Sequence, residues 1–264
     1  MKLTKILNCI SLFALFGITG CNKKGPLLHL GTNFSDVFSC LETPTKSELY
    51  CLGTIHGAHF SNKEYTLRHL QNIIENVKPD YIFIESREDT YQKYGVLDGP
   101  MEMRFLFAYG REHNIPVEMI DYWYIDDEFP KLQNSTWPER DKEMMENIQK
   151  KLKTVKEGEK VLLCFGTAHY YYEVPKFKKI GFNERPIKNK VDYLKGPQDF
   201  KYPKTLAQDL KDYIYYSQNS PQDILNNNIK DNSIRAVVSK QFADYEENIK
   251  IYLKMVESNQ WMKQ

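Results

Sequence analysis

From residue 48 to residue 166, short apolar runs alternate with segments whose apolar residues recur at helical spacing, and few folds accept that alternation. ELYCLGT, DYIFIE, IPVEMID and KVLLCFG read as buried strands. Between the first two, Leu67, Leu70, Ile73, Ile74 and Val77 share one helix face, and Ser61-Asn62-Lys63-Glu64 has the spacing of a capping box. A second helix is expected from about Pro100 to Glu112, with Asn114 as its stop. A third starts at Thr136-Trp137-Pro138, carries Met144, Met145, Ile148, Leu152 and Val155 on one face, and ends by Gly158. Parallel strands need crossover connections, and helices between strands supply them. The fold class is therefore α/β, a mainly parallel mixed sheet with flanking helices.

Three features extend that core. DVFSCLE and ELYCLGT flank the turn-like TPTKS, which predicts an N-terminal β-hairpin. A short helix near VPKFKKI and a strand near ERPIK are expected to finish the core. From about Lys195 glycine nearly vanishes, and Ile234, Val238, Phe242, Tyr245, Ile249, Leu253 and Val256 recur as one stripe. That stripe predicts a long amphipathic C-terminal helix, read as a cover for the core.

The first residues place Lys2 and Lys5 before an apolar run from Ile6 to about Thr19, too short to span a bilayer and shaped like a secretory signal. Ile18-Thr19-Gly20-Cys21 resembles the bacterial lipobox, so Cys21 is expected to carry lipid and to anchor the chain to the membrane at the cell envelope, on the periplasmic side of an outer membrane. The organisation is then a lipoprotein signal peptide at 1–20, a tether at 21–35, an α/β core at 36–190 and a helical extension at 191–264. Removal of residues 1–20 leaves 34 basic residues against 35 acidic ones, a formal charge of −1. Near neutrality gives no electrostatic case for nucleic acid. An oxidising compartment permits a disulfide, and Cys40 and Cys51 could face one another across the hairpin, whereas Cys164 reads as a small buried hydrophobe. Oligomeric state is left open.

Ligands of open α/β sheets bind beyond the carboxyl ends of the strands. Four polar groups stand there: His56, Glu85, Asp121 and His169. Both histidines end a Gly-Thr-x-His string, in which the glycine is expected to let the backbone turn sharply off the sheet. Two imidazoles and a carboxylate are a common ligand set for a first-row divalent ion, so His56, Glu85 and His169 are the candidate metal ligands for Mn, Co or Zn. Arg140, in the first turn of the third helix, suits a developing oxyanion. Glu85 could instead act as general base, with Asp121 completing the metal shell. Asp121 also reads as a loop cap or as a group fixing a histidine tautomer; His59, one step outside the motif, reads as solvated or as a backing group. Tyr170, Tyr171 and Tyr172 read as packing at the sheet's rim.

The order LYCLGTIH, KPDYIFIE, NIPVEMID, PERDKEMMENIQKKL and VLLCFGTAHYYYEVPKFKKIGFNERPI resembles the TraB/GumN/Tiki family over about residues 36–190. That family has paired GxxH motifs, a glutamate ending the intervening strand, and an arginine in the helix before the second motif, positions matched here by His56, Glu85, Arg140 and His169. The resemblance implies a divalent-metal-dependent hydrolase, with peptidase activity in some animal relatives. It also implies kinship with a broader group that includes erythromycin esterases and a haem-binding lipoprotein. Two departures stand out: the family's asparagine after the arginine is Asp141 here, and residues 195–264 carry none of its motifs. The functional expectation is a lipid-anchored hydrolase acting on a peptide or ester substrate. Its rivals are a non-catalytic haem- or metal-binding lipoprotein, with His or Tyr as axial ligand, and a regulator that sequesters a peptide.

Overall fold

A hairpin and three crossovers build the sheet. The computed structural model describes residues 27–29, 32–60, 62–123 and 137–259; the expected signal segment, lipidated Cys21, Ser61 and Thr136 lie outside them. β1 (Leu27–His29) and β2 (Thr32–Asn33) form a small antiparallel ribbon, and Phe34 just after it is wholly buried, two residues before the boundary read at 36. β3 (Phe38–Glu42) and β4 (Glu48–Thr54) make the hairpin, with Cys40 opposite Tyr50 and Ser39 opposite Cys51. Successive side chains on a strand point to opposite faces, so this register puts Cys40 and Cys51 on different faces of the sheet. Both are free thiols, and the disulfide is excluded. Burial pushes the Cys40 thiol up to about 11.

After β4 comes α1 (Leu67–Val77), whose Leu67, Leu70 and Ile73 are fully buried; each such side chain contributes roughly 1.5–3 kcal/mol. Its cap differs from expectation. Thr66 is the N-cap, with its N–H donating to Nδ1 of His69 at 3.0 Å. Asn62 instead closes a turn ahead of the helix, its side-chain oxygen accepting the N–H groups of Glu64 and Tyr65 at 2.9 and 3.1 Å.

The chain continues through β5 (Tyr81–Arg87), α2 (Glu88–Tyr94), α3 (Met101–Glu112), β6 (Val117–Asp121), α4 (Trp137–Leu152), β7 (Lys160–Gly166), α5 (Thr167–Lys179) and β8 (Asn183–Arg185). α2 has no counterpart in the apolar pattern: it is one polar segment with Glu88 and Asp89 in its first turn and Gly95 at φ +70° ending it. The helix foreseen near VPKFKKI begins earlier, at Thr167, so the second Gly-Thr-x-His opens a helix rather than a loop. The six strands run in the order β6-β5-β7-β4-β3-β8, with β6, β5, β7 and β4 parallel and β3 antiparallel to both its neighbours, β4 and β8.

The extension is helical as expected: α6 (Leu206–Asn219), α7 (Pro221–Asn228) and α8 (Asn232–Glu257). α6 packs on both α3 and α8, burying Leu206, Leu210, Tyr213 and Tyr216. α8 also meets the core directly, where Tyr252 stacks on Phe60 with centroids 4.3 Å apart. None of the described helices is long and apolar enough to cross a membrane.

Candidate functional site

β4 and β7 are neighbours, paired with Thr54 opposite Gly166, so the two Gly-Thr-x-His strings leave the same edge one residue out of step. Their threonines join them. Thr167 donates its hydroxyl proton to the Thr54 carbonyl at 2.8 Å, and Thr54 donates its own to Glu102 Oε1 at 2.6 Å. The glycines do not act through conformational freedom: neither Gly53 nor Gly166 has a positive φ. What they supply is room. A Cβ on Gly53 would stand 2.9 Å from Cβ of Val37, and one on Gly166 would stand 2.7 Å from Nε2 of His56 and 3.3 Å from Oε2 of Glu85. It is His56 that takes the unusual backbone, at φ +52°, a conformation costly for a residue with a side chain.

Each motif histidine is tied at Nδ1 to a buried carboxylate. His56 meets Glu102 Oε1 at 2.9 Å, and His169 meets Asp141 Oδ1 at 2.5 Å. Burial works against both imidazolium ions, but the carboxylates win: Glu102 and Glu85 lift His56 to about 9, and Asp141 with Glu85 lifts His169 to about 9. The two differ in access, since the His56 side chain is 48 % exposed and His169 is buried.

Glu85 sits at the centre. Its Oε2 accepts the Gly166 N–H at 2.6 Å; its Oε1 accepts from Arg140 Nη2 at 2.8 Å and lies 3.4 Å from Nε2 of His169. Burial alone would favour the neutral acid, yet the histidines and Arg140 hold this carboxyl far below the usual range. Arg140 is in turn gripped by Asp121 through two bonds, Nε to Oδ1 at 2.8 Å and Nη2 to Oδ2 at 2.7 Å. The structure thus brings together His56, Glu85, Asp121, Arg140 and His169, from the turn after β4, from β5 and β6, and from α4 and α5.

His59 belongs elsewhere. It is fully buried rather than solvated; its Nε2 accepts the Ile55 N–H at 3.2 Å and its Nδ1 donates to the Tyr65 carbonyl at 2.9 Å. With both ring nitrogens bonded to backbone it shapes the loop that carries His56. Burial depresses it to about 4. Tyr170 packs against Phe165, while Tyr171 and Tyr172 are exposed.

Two members of the cluster escaped the sequence reading. Glu102, fully buried in the first turn of α3, belongs to no motif, although a lone acid in Met101-Glu102-Met103 among apolar neighbours is the signal of a buried, partnered charge. Asp141 was noticed only as a departure beside Arg140; it holds His169 instead.

The donor chemistry suits a divalent ion, because a carboxylate at Nδ1 is the usual backing of a metal-bound imidazole. As placed, no group of three or more His, Cys, Asp or Glu among the described residues is spaced to hold one, and Glu85 spends both oxygens on Arg140 and Gly166. Loading would require Glu85 to turn and the imidazoles to give up protons. Comparison with protein-family models, with curated proteins and with solved structures finds no match to this chain.

Proposed function

We propose that this sheet edge is a hydrolytic centre for amide or ester bonds, peptidase-like, in a bacterial protein held at the cell envelope by a lipid on Cys21, as the resemblance to the TraB/GumN/Tiki family suggests. The observation that carries the reading is the pair of carboxylate-backed histidines, His56–Glu102 and His169–Asp141, flanking Glu85 and Arg140. His56, Glu85 and His169 are the residues to hold Mn, Co or Zn, which when bound supplies water activation and carbonyl polarisation. Arg140, fixed by Asp121, presents positive charge where an oxyanion develops. Glu85 serves as ligand or anchor rather than general base, because a carboxyl held so far below its usual range is a weak proton acceptor.

The test is elemental analysis of the chain lacking residues 1–21, with a hydrolysis screen of peptides and esters for wild type and His169→Ala. Bound divalent metal and turnover, both lost in the variant, support the reading. A Soret band on adding haem, without turnover, favours a binding protein. If neither metal nor haem binds and His56→Ala alters only stability, the site reading fails.

A further inference from the structure

The C-terminal helices do more than cover the core. Tyr213 and Tyr216 of α6 and Phe242 and Tyr245 of α8 wall a cavity of about 250 Å³, with Arg87 and Trp123 on its core side. We propose that this cavity receives an aromatic side chain of the substrate, next to the bond cleaved at the neighbouring cluster; this rests on the hydrolytic reading of that cluster.

The strands fix the position. Arg87 closes β5 two residues past Glu85, Trp123 lies two residues past Asp121, and Arg87 pairs in register with Asp121. Two residues of strand rise roughly 7 Å, the reach of a side chain adjacent to a scissile bond. Tyr245 ties the cavity to Glu85 from the other side. Its hydroxyl donates to the Gly99 carbonyl at 2.8 Å, and Gly99 lies so close to β5 that a Cβ would stand 2.3 Å from the Glu85 carbonyl oxygen.

The walls select the chemistry. Arg87 is not a free charge: its Nε donates to the Asp98 carboxylate, its Nη1 donates to the Trp123 carbonyl at 2.8 Å, and its guanidinium lies 4.0 Å from the Trp123 ring centre. Asp98, which accepts the Arg87 and Ser86 protons as well, balances that charge. A neutral, flat occupant therefore fits better than an ion. An apolar cavity of ~150 Å³ holds benzene, so this one has room for a phenyl or indole ring, and ring-on-ring contact adds about 0.5–1.5 kcal/mol beyond buried area. Arg104, fully buried and 4.2 Å from the Tyr213 ring centre, stiffens that wall without lining the cavity.

Binding can be read without turnover. The full chain carrying Glu85→Gln is titrated calorimetrically with N-acetyl-phenylalanine amide, N-acetyl-alanine amide and phenylacetate. The phenylalanine amide should bind at least tenfold tighter than the alanine amide, and Gln241→Trp, which adds bulk at a half-buried lining position, should remove that preference. In the active chain the same substitution should cut kcat/KM about tenfold for a substrate with Phe beside the cleaved bond and leave the Ala substrate within twofold. Equal binding of the two amides overturns the proposal. So does tighter binding of phenylacetate, or a preference untouched by Gln241→Trp in a chain with unchanged melting temperature. Should that variant not fold, Phe242→Ala must weaken the phenylalanine amide alone, and failure to do so counts against the cavity. Arene binding lost on Gln241→Trp, with no peptide or ester ever cleaved, supports the cavity as an arene site and sinks the hydrolytic reading instead.

Discussion

Asp141 Oδ1 lies 2.5 Å from Nδ1 of His169, and both side chains are almost wholly buried. The aspartate therefore fixes the orientation of the imidazole, aims Nε2 at Glu85, and keeps the ring charged near neutrality. Asp141→Asn retains an acceptor oxygen of similar shape but removes the charge. The His169 pKa should move from about 9 back toward the ordinary value near ~6.5, read by NMR titration of the ring. Divalent-metal affinity should fall ~10–100-fold, the usual cost of losing such a backing carboxylate. An unmoved His169 titration would show that Asp141 is only filling space.

The two motif glycines should fail in different ways. Gly166→Ala sets a Cβ against the tip of the half-exposed His56 ring, which can swing aside, so the fold should survive with a melting temperature within a few degrees of wild type. The displaced imidazole should cost ~10²-fold in turnover, as a misplacement of ~1 Å does. Gly53→Ala sets its Cβ against Val37 and Tyr170 inside the packed core, neither of which can yield cheaply, and should destabilise by ~1–3 kcal/mol in urea unfolding. Equal stability losses in the two variants would contradict this division of roles.

The parallel core was legible because each buried strand is an apolar run between polar helices, a signal that needs no tertiary context. Strand order was not. That β7 inserts between β5 and β4, bringing the second motif directly beside the first, follows from how the crossovers pack, and no local pattern encodes it. His56, Glu85, Arg140 and His169 were found because strand ends and a helix start share one edge. His59 was misjudged because its burial depends on a turn that folds Tyr65 back over it, at a ring distance of 4.6 Å. Glu102 was missed for the complementary reason: its partners Thr54 and His56 are 48 and 46 residues away in the chain.

The histidines also set opposite limits on the pH range of stability. His169 has a folded pKa of about 9, above its unfolded value near ~6.5, so the native state binds the proton more tightly than the unfolded chain. Its contribution is complete below pH ~6.5 and is lost as pH rises through 9. His59 is the reverse case: depressed to about 4, it stays neutral when folded, so the unfolded chain gains protons first and stability drains away as pH falls from ~6.5 toward 4. Urea unfolding in the presence of a chelator should therefore show maximal stability near pH ~6.5. For His169 the alkaline loss amounts to as much as about 3 kcal/mol by pH 9.5. His169→Gln should be less stable at neutral pH yet show a shallower alkaline slope, with the acid limb, to which His59 and the half-buried, likewise depressed His69 both contribute, left intact. A wild-type profile that is flat from pH 6.5 to 9.5 would mean that His169 gains no proton affinity on folding, and the Asp141–His169–Glu85 chain would have to be abandoned.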